Sequence, residues 1–331
     1  MPYRLFCAEQ SFIIALIKRM PRIPKKPSSS NNIVSVRATR SKARANPTSP
    51  ARKAVIEIDA VPEAQTSTST AHEIKALPAK LTAAITGLSR QDHAILLKKQ
   101  RWLQTYKVDI PKGAPAIVLA LDATLVFAQE EAGTAVCISI QGLLLTCSHC
   151  IAETIEELDY SKIHWLLFSS GIVVSAKCIK WDGKRDLALL QITAAQPDPT
   201  VPSPKVIPTS FAHISLAPSP PAVNTPLCCI GHPGSEDLEA TRPGIKTNYD
   251  VLHVSEGQFH GYAEGQDRQD NSEIGALMYD CWTYWGHSGA PIVSAESGEL
   301  VGLHSSWDEE TGMRRGVGVE AVEGFLVEQK R

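Results

Sequence analysis

Aromatic residues are missing from most of the first third of the chain. Of 7 Phe, 7 Tyr and 6 Trp, none lies between Phe12 and Trp102, and 17 of the 20 fall in residues 102–331. A segment rich in Pro, Ser, Thr, Lys and Arg but without aromatics cannot bury enough apolar surface to offset its ordering entropy. Residues 1–70 are therefore expected to form a disordered tail. Acidic residues are scarce in the same region: residues 1–55 carry twelve Lys/Arg against Glu9 alone, a charge of +11 that leaves −13 for the other 276 residues. Long hydrophobic runs are also lacking. The stretch Phe12–Ile17, flanked by Glu9-Gln10 and Lys18-Arg19, is too short for a secretory leader, and nothing reaches transmembrane length. Cysteines number only 8 in 331 residues, at spacings that suggest no disulfide framework. Reduced thiols in an intracellular protein are the expectation. The nucleus or cytoplasm is favoured, the basic and nearly acid-free first 26 residues keep the mitochondrion open, and secretion and membrane association are not expected.

What is present fits a soluble globular protein: 43% hydrophobic and 21% charged residues. Ser89-Arg90-Gln91-Asp92 resembles a capping box, and Ile95, Leu96, Leu97, Trp102 and Leu103 follow it. This predicts a helix over about 90–105 within a helical lead-in, 71–112, which Pro111, Gly113 and Pro115 end. From 116 onward short apolar runs recur between turn residues: Ile117–Leu121, Ala135–Ile140, Leu143–Cys147, His164–Phe168, Ile172–Ile179 and Leu187–Ile192. They resume as Leu227–Ile230, Val251–Val254, Ala276–Tyr279, Ala290–Val293, Leu300–His304 and Gly316–Val319. Strands at this spacing, with almost no helical periodicity between them, indicate an all-β domain over 113–331. Nine prolines between Pro197 and Pro226 mark a linker between two β halves.

Three local patterns could carry chemistry. Leu145-Thr146-Cys147-Ser148-His149-Cys150 is a strand ending in small residues and a histidine. Arg185-Asp186-Leu187-Ala188-Leu189-Leu190 places an Asp at the head of an apolar strand. Gly286-His287-Ser288-Gly289-Ala290-Pro291 sets a serine among glycines before a strand, so that the N–H groups of Gly286 and Ser288 can converge on one point, as an oxyanion hole requires. Each alone has an ordinary structural reading: a core histidine, a turn Asp, a Gly/Ser turn. Their order, His149, Asp186, Ser288, is that of one of the three known arrangements of a Ser-His-Asp triad.

The three segments resemble the T-A-A-H-C, D-[IL]-A-[LV]-L and G-x-S-G-x-P signatures of trypsin-fold (chymotrypsin-like) serine proteases. The pattern is more similar still to the HtrA-type branch. Gly133-Thr134-Ala135-Val136 resembles its opening strand, and Leu227-Cys228-Cys229-Ile230-Gly231-His232-Pro233-Gly234 resembles V-x-A-I-G-N-P-x-G. Asp280 lies eight residues before Ser288, and Gly298-Glu299-Leu300-Val301-Gly302-Leu303 resembles G-x-[LV]-[IV]-G-[IL]. The likeness spans about 115–328. It implies two six-stranded antiparallel barrels and a serine endopeptidase that hydrolyses a polypeptide substrate without a cofactor or metal. His149, Asp186 and Ser288 would form the triad, and Gly286 and Ser288 the oxyanion hole. Ser305, Ser306 and Trp307 would offer an edge to which extended substrate pairs. His287 stands where digestive proteases carry the Asp that pairs with a newly cut N-terminus, so activation by that route is not expected. Only 43 residues follow Ser288, too few for the PDZ domain of many HtrA proteins.

Trypsin places an Asp six residues before its serine, and here that position is Trp282. The sequence thus predicts no preference for Lys or Arg, and a shallow apolar pocket for small aliphatic side chains. The alternatives are a catalytically inactive trypsin fold serving as a binding module, and a zinc site from Cys147, Cys150, Cys229 and His232, whose inner 78-residue gap is wide for a zinc module. Phosphate contacts from the basic tail would suit nucleic-acid association. Deleting residues 1–70 is expected to leave the thermal midpoint of the remaining domain nearly unchanged; a large fall in a melting curve would show that the tail packs on the body.

Overall fold

The computed structural model describes residues 73–128, 133–198, 210–242 and 244–328. The basic tail falls outside them. Among the described residues no helix is long and apolar enough to cross a membrane.

A two-residue strand, β1 (Lys75–Ala76), precedes helices α1 (Ala83–Thr86) and α2 (Arg90–Thr105). The α2 N-cap is Ser89, whose Oγ accepts from Asp92 N at 3.1 Å, as the capping pattern predicts. One face of α2 buries Leu96 and Leu103, each contributing roughly 2 kcal/mol of hydrophobic stabilisation. Lys99 Nζ donates to Phe127 O (2.9 Å) and Gln100 Nε2 to Gly171 O (3.0 Å), fastening the helix to the first barrel. A short helix α3 (Val118–Ala123) follows. Residues 117–121, read from sequence as a strand, lie in this helix and the 3-10 turn before it. Pro115 opens that turn, and Ile117, Ala120 and Leu121 are buried at the i, i+3, i+4 spacing of a helix while Val118 and Leu119 face outward.

The first barrel is built from β2 (Thr124–Phe127), β3 (Thr134–Cys137), β4 (Leu143–Thr146), β5 (Ile163–Phe168), β6 (Val173–Asp182) and β7 (Leu187–Ala195). The strand order is β7-β4-β3-β2-β5-β6, closed by β6 on β7, with β1 added in parallel against β7. The second comprises β8 (Pro226–Gly231), β9 (His253–Tyr262), β10 (Leu277–Tyr279), β11 (Pro291–Ser294), β12 (Leu300–Trp307) and β13 (Arg314–Gly318), closed in the order β10-β13-β12-β11-β8-β9. The two six-stranded antiparallel barrels expected from sequence are therefore present. Closure removes the exposed edges that an open sheet of this size would offer.

Leu125, Leu144, Leu145, Leu166, Leu167, Leu187 and Leu189 are fully buried on the two faces of the first barrel's strands, in a core that runs on into Ile230, Val293, Leu300 and Leu303 of the second. The described part of the proline-rich connection spans both halves. Phe211 stacks on Phe168 at 5.8 Å, while Leu216 bridges to Leu300. A final helix, α4 (Val319–Val327), buries Phe325 in the same core.

Candidate active site

The three segments singled out in the sequence meet where the barrels face one another. Strand β4 ends at Thr146 and turns through Ser148–Cys150, which presents His149 with its side chain about one-third exposed. The β6–β7 turn supplies Asp186. Its φ of +53° is a left-handed conformation that Asp tolerates better than most residues. Arg185 braces that turn: its guanidinium reaches Asp182 at 2.7 Å and Glu328, just past α4, at 2.8 Å.

Asp186 is buried and its carboxylate is saturated. Oδ1 meets His149 Nδ1 at 2.9 Å and accepts from Ser148 Oγ at 2.9 Å, while Oδ2 accepts from Ser305 Oγ at 2.7 Å. Burial alone would raise its pKa, but the charge and hydrogen bond of His149, with the two serine hydroxyls, hold it below the ordinary 3.8. For His149 burial favours the neutral ring. The Asp186 charge and hydrogen bond outweigh this and raise its pKa above the ordinary 6.5.

Ser288 sits on a loop pinned from both barrels. Thr134 N donates to Ser288 O at 2.8 Å, and Cys150 Sγ approaches the same oxygen at 3.5 Å. On the other side Gly289 N donates to His304 O at 2.8 Å. Gly286 has φ +96°, and its carbonyl accepts from Thr134 Oγ1 at 3.1 Å. With the Gly286 and Ser288 carbonyls both held by Thr134, neither of these residues' N–H groups donates to a backbone carbonyl among the described residues. No hydrogen bond joins Ser288 Oγ to His149 there either; such bonds often tighten only when substrate is bound. No local sequence pattern marks Ser148 or the contact of Ser305 with Asp186. Only the G-T opening of β3 hinted at Thr134.

The close approach of the loop requires glycine. A Cβ on Gly289, at φ +78°, would lie 2.2 Å from Thr134 O and 2.3 Å from Thr146 Oγ1. Gly289→Ala is therefore expected to cost about 3 kcal/mol, roughly 10 °C in thermal midpoint; an unchanged melting curve would contradict this packing.

His287 is fully buried, with Nδ1 2.9 Å from Tyr284 O, and burial pushes its pKa down to about 3. It is a neutral space-filling group, seated over Gly231, where a Cβ would meet its ring at 2.3 Å. Trp282 packs edge-on against Tyr249 and His253, with ring centroids 5.0 Å away in each case. It does not line the small cleft beside the serine loop, which is formed by Glu239, Thr283, Tyr284, Trp285, Trp307 and Arg314. That cleft has aromatic walls and two charged residues, Glu239 and Arg314. Ser306 and Trp307 pair with Arg315 and Arg314 of β13, and beyond His304 no strand pairs with β12 on its β11 side among the described residues.

All seven described cysteines are free. The four proposed zinc ligands do not gather: Cys229 takes a contact from Tyr279 Oη in the second core, and His232 Nδ1 bonds Val251 O. Cys147, His149 and Asp186 do bring their ligand atoms within 4.8 Å of one another. There His149 and Asp186 are committed to each other, and burial holds the Cys147 thiol protonated. That donor set suits a hydrogen-bonded network better than a cation.

A family model for a trypsin-like peptidase domain matches residues 133–303. No curated protein sequence matches the chain. Several solved structures are similar to it. Rv3671c from M. tuberculosis, in an inactive form, aligns over 67% of this chain and 95% of its own at 14% identity, with a TM-score of 0.44. The HtrA-type protease AlgW, solved with a decapeptide, aligns over 60% of this chain and 52% of its own at 20% identity, with a TM-score of 0.42. The serine endoprotease from Yersinia pestis aligns over 66% of this chain and 67% of its own at 18% identity, with a TM-score of 0.45.

Proposed function

Because the chain belongs to the trypsin-like peptidase family, we propose that it is a serine endopeptidase working through Ser288, His149 and Asp186. The observation that carries this reading is the one-third-exposed His149 ring held at Nδ1, 2.9 Å from a buried Asp186 whose other hydrogen bonds are already made. That arrangement leaves Nε2 as the ring's working nitrogen.

A serine hydroxyl needs an adjacent base to attack at neutral pH. His149 Nε2 takes the Ser288 proton as Oγ bonds to the substrate carbonyl carbon. The developing oxyanion accepts from Gly286 N–H and Ser288 N–H, each worth about 3 kcal/mol of transition-state stabilisation. The proton then passes from His149 to the leaving amine, and the C–N bond breaks. Water repeats the cycle on the acyl-enzyme, while Asp186 stays ionised and fixes the tautomer throughout. Extended substrate pairs along the free edge of residues 305–307, with Ser305 also holding Asp186. Denatured casein should be cut by the wild-type protein and left intact by a folded Ser288→Ala variant; intact casein in both cases would favour the inactive binding module.

The chemistry needs neutral His149, so kcat/KM should rise with pH through a value above 6.5. The same shifts act on stability. The His149 contribution is complete below 6.5 and is lost as pH rises through its higher folded value. The Asp186 contribution is present above 3.8 and is lost as pH falls through its lower folded value. A pH–rate profile whose acid limb lies below 6.5 would contradict the pairing.

A further inference from the structure

The cleft beside the serine loop is bounded by segments that adjoin the proposed machinery. Trp285 immediately precedes Gly286. Trp307 lies two residues past Ser305 and meets Trp285 edge-to-face at 4.7 Å. A substrate paired along residues 305–307 would direct the side chain on the acyl side of the scissile bond into this space. The cleft is small, about 70 Å³, enough for a compact polar group such as a carboxylate.

Arg314 is the residue in it with unspent hydrogen-bonding capacity. It lies across from Tyr279 on one side and Trp307 on the other, and directly opposed residues share a sheet face. Since Tyr279 is fully buried inside the barrel, the Arg314 side chain is directed inward with it. Its Nη1 donates to Gly312 O at 2.9 Å, and Nη2 reaches Thr283 O at a long 3.4 Å. Its Nε is buried with no partner, as are the hydroxyls of Thr283 and Ser306. Among the described residues no carboxylate comes within 4.0 Å of its guanidinium, whereas neighbouring Arg315 reaches Asp308. Two acids stand nearby and differ in kind. Asp237 is engaged by Tyr284 Oη at 2.9 Å, and Glu239 is exposed at the rim, where water screens it.

We infer that Arg314 makes this cleft selective for an acidic side chain, Asp or Glu, on the acyl side of the cleaved bond; the inference rests on the proposed serine-peptidase reading. A carboxylate would supply the acceptors that Arg314 Nε and the Thr283 hydroxyl lack. Charge-assisted bonds of this kind are roughly twice as strong as neutral ones. A Lys or Arg side chain would meet a like charge, and an aliphatic one would leave the buried donors unpaired, a penalty that protein sites use to discriminate.

The test uses fluorogenic peptides that differ only in that residue, Glu, Gln, Asp, Asn, Ala or Lys, with the wild-type protein, Arg314→Met, Arg314→Lys and Glu239→Gln. The expected kcat/KM ratio of Glu to Gln is about 100. It should collapse toward 1 in Arg314→Met, survive in part in Arg314→Lys, and rise in Glu239→Gln as the rim repulsion is removed. A wild-type ratio near 1, or a ratio unmoved by Arg314→Met, overturns the inference, and the wild-type ratio decides even where a variant fails to fold. Covalent labelling of Ser288 by a fluorophosphonate, which does not depend on the cleft, separates the two layers. Labelling without acid preference sinks the selectivity alone, whereas no labelling sinks the serine-peptidase reading and the selectivity with it.

Discussion

Replacing Ser288 with alanine is expected to lower kcat about a million-fold, and His149→Ala should do nearly the same damage alone. The double variant should be scarcely worse than either single one. In the proposed mechanism the two groups act in one step. Without the base, the hydroxyl keeps its proton; without the hydroxyl, the base has no proton to take. What remains is whatever the oxyanion donors and substrate binding achieve with water, about a thousand-fold over the uncatalysed reaction. Neither change should disturb the fold. Ser288 is partly exposed, and its loop is held through backbone atoms, by Thr134 N on the Ser288 carbonyl and by His304 O on Gly289 N. Steady-state kinetics beside melting curves check both points, and additive losses in the double variant would mean that the residues act separately.

The second large effect is expected from Asp186→Asn, which should lower kcat about ten-thousand-fold. The amide keeps the shape but removes the charge that raises the His149 pKa, and it can present a donor to Nδ1, favouring the wrong tautomer. It also leaves Ser148 and Ser305, which donate to the carboxylate at 2.9 and 2.7 Å, facing a weaker acceptor. Unlike Ser288→Ala, this substitution should move the acid limb of the pH–rate profile downward, because His149 loses the interaction that raises its pKa. A residual rate with an unshifted acid limb would show that Asp186 is structural only.

The elements that sequence made legible are those whose pattern is local. Alternation and turn residues located most strands of both barrels, and Ser89 with Asp92 marked the start of α2. Local reading failed where apolar residues serve a helix in a strand-rich context, as in α3, whose alanines pack at helical spacing beside Pro115. It also passed over α4, because Val319 and its neighbours follow directly on the apolar strand β13. His149, Asp186 and Ser288 stand out as candidates because each sits in a short motif and the three keep a telling order; of these, the structure joins His149 to Asp186 at 2.9 Å. Their supports were not visible. Thr134 lies 154 residues before Ser288 and Ser305 119 after Asp186, so those contacts exist only once both barrels close. The packing of Trp282 was hidden for the same reason: its ring meets Tyr249 and His253, aromatic partners that no local pattern connects to it.

The central claim is that Ser288 is a nucleophile activated by His149, and peptide mapping after reaction with a fluorophosphonate tests it most directly. A single covalent adduct is expected on the peptide containing Ser288 in the wild-type protein, and its loss in His149→Ala with the fold retained. An unmodified Ser288 in folded wild-type protein, or labelling that persists at full rate without His149, would contradict it.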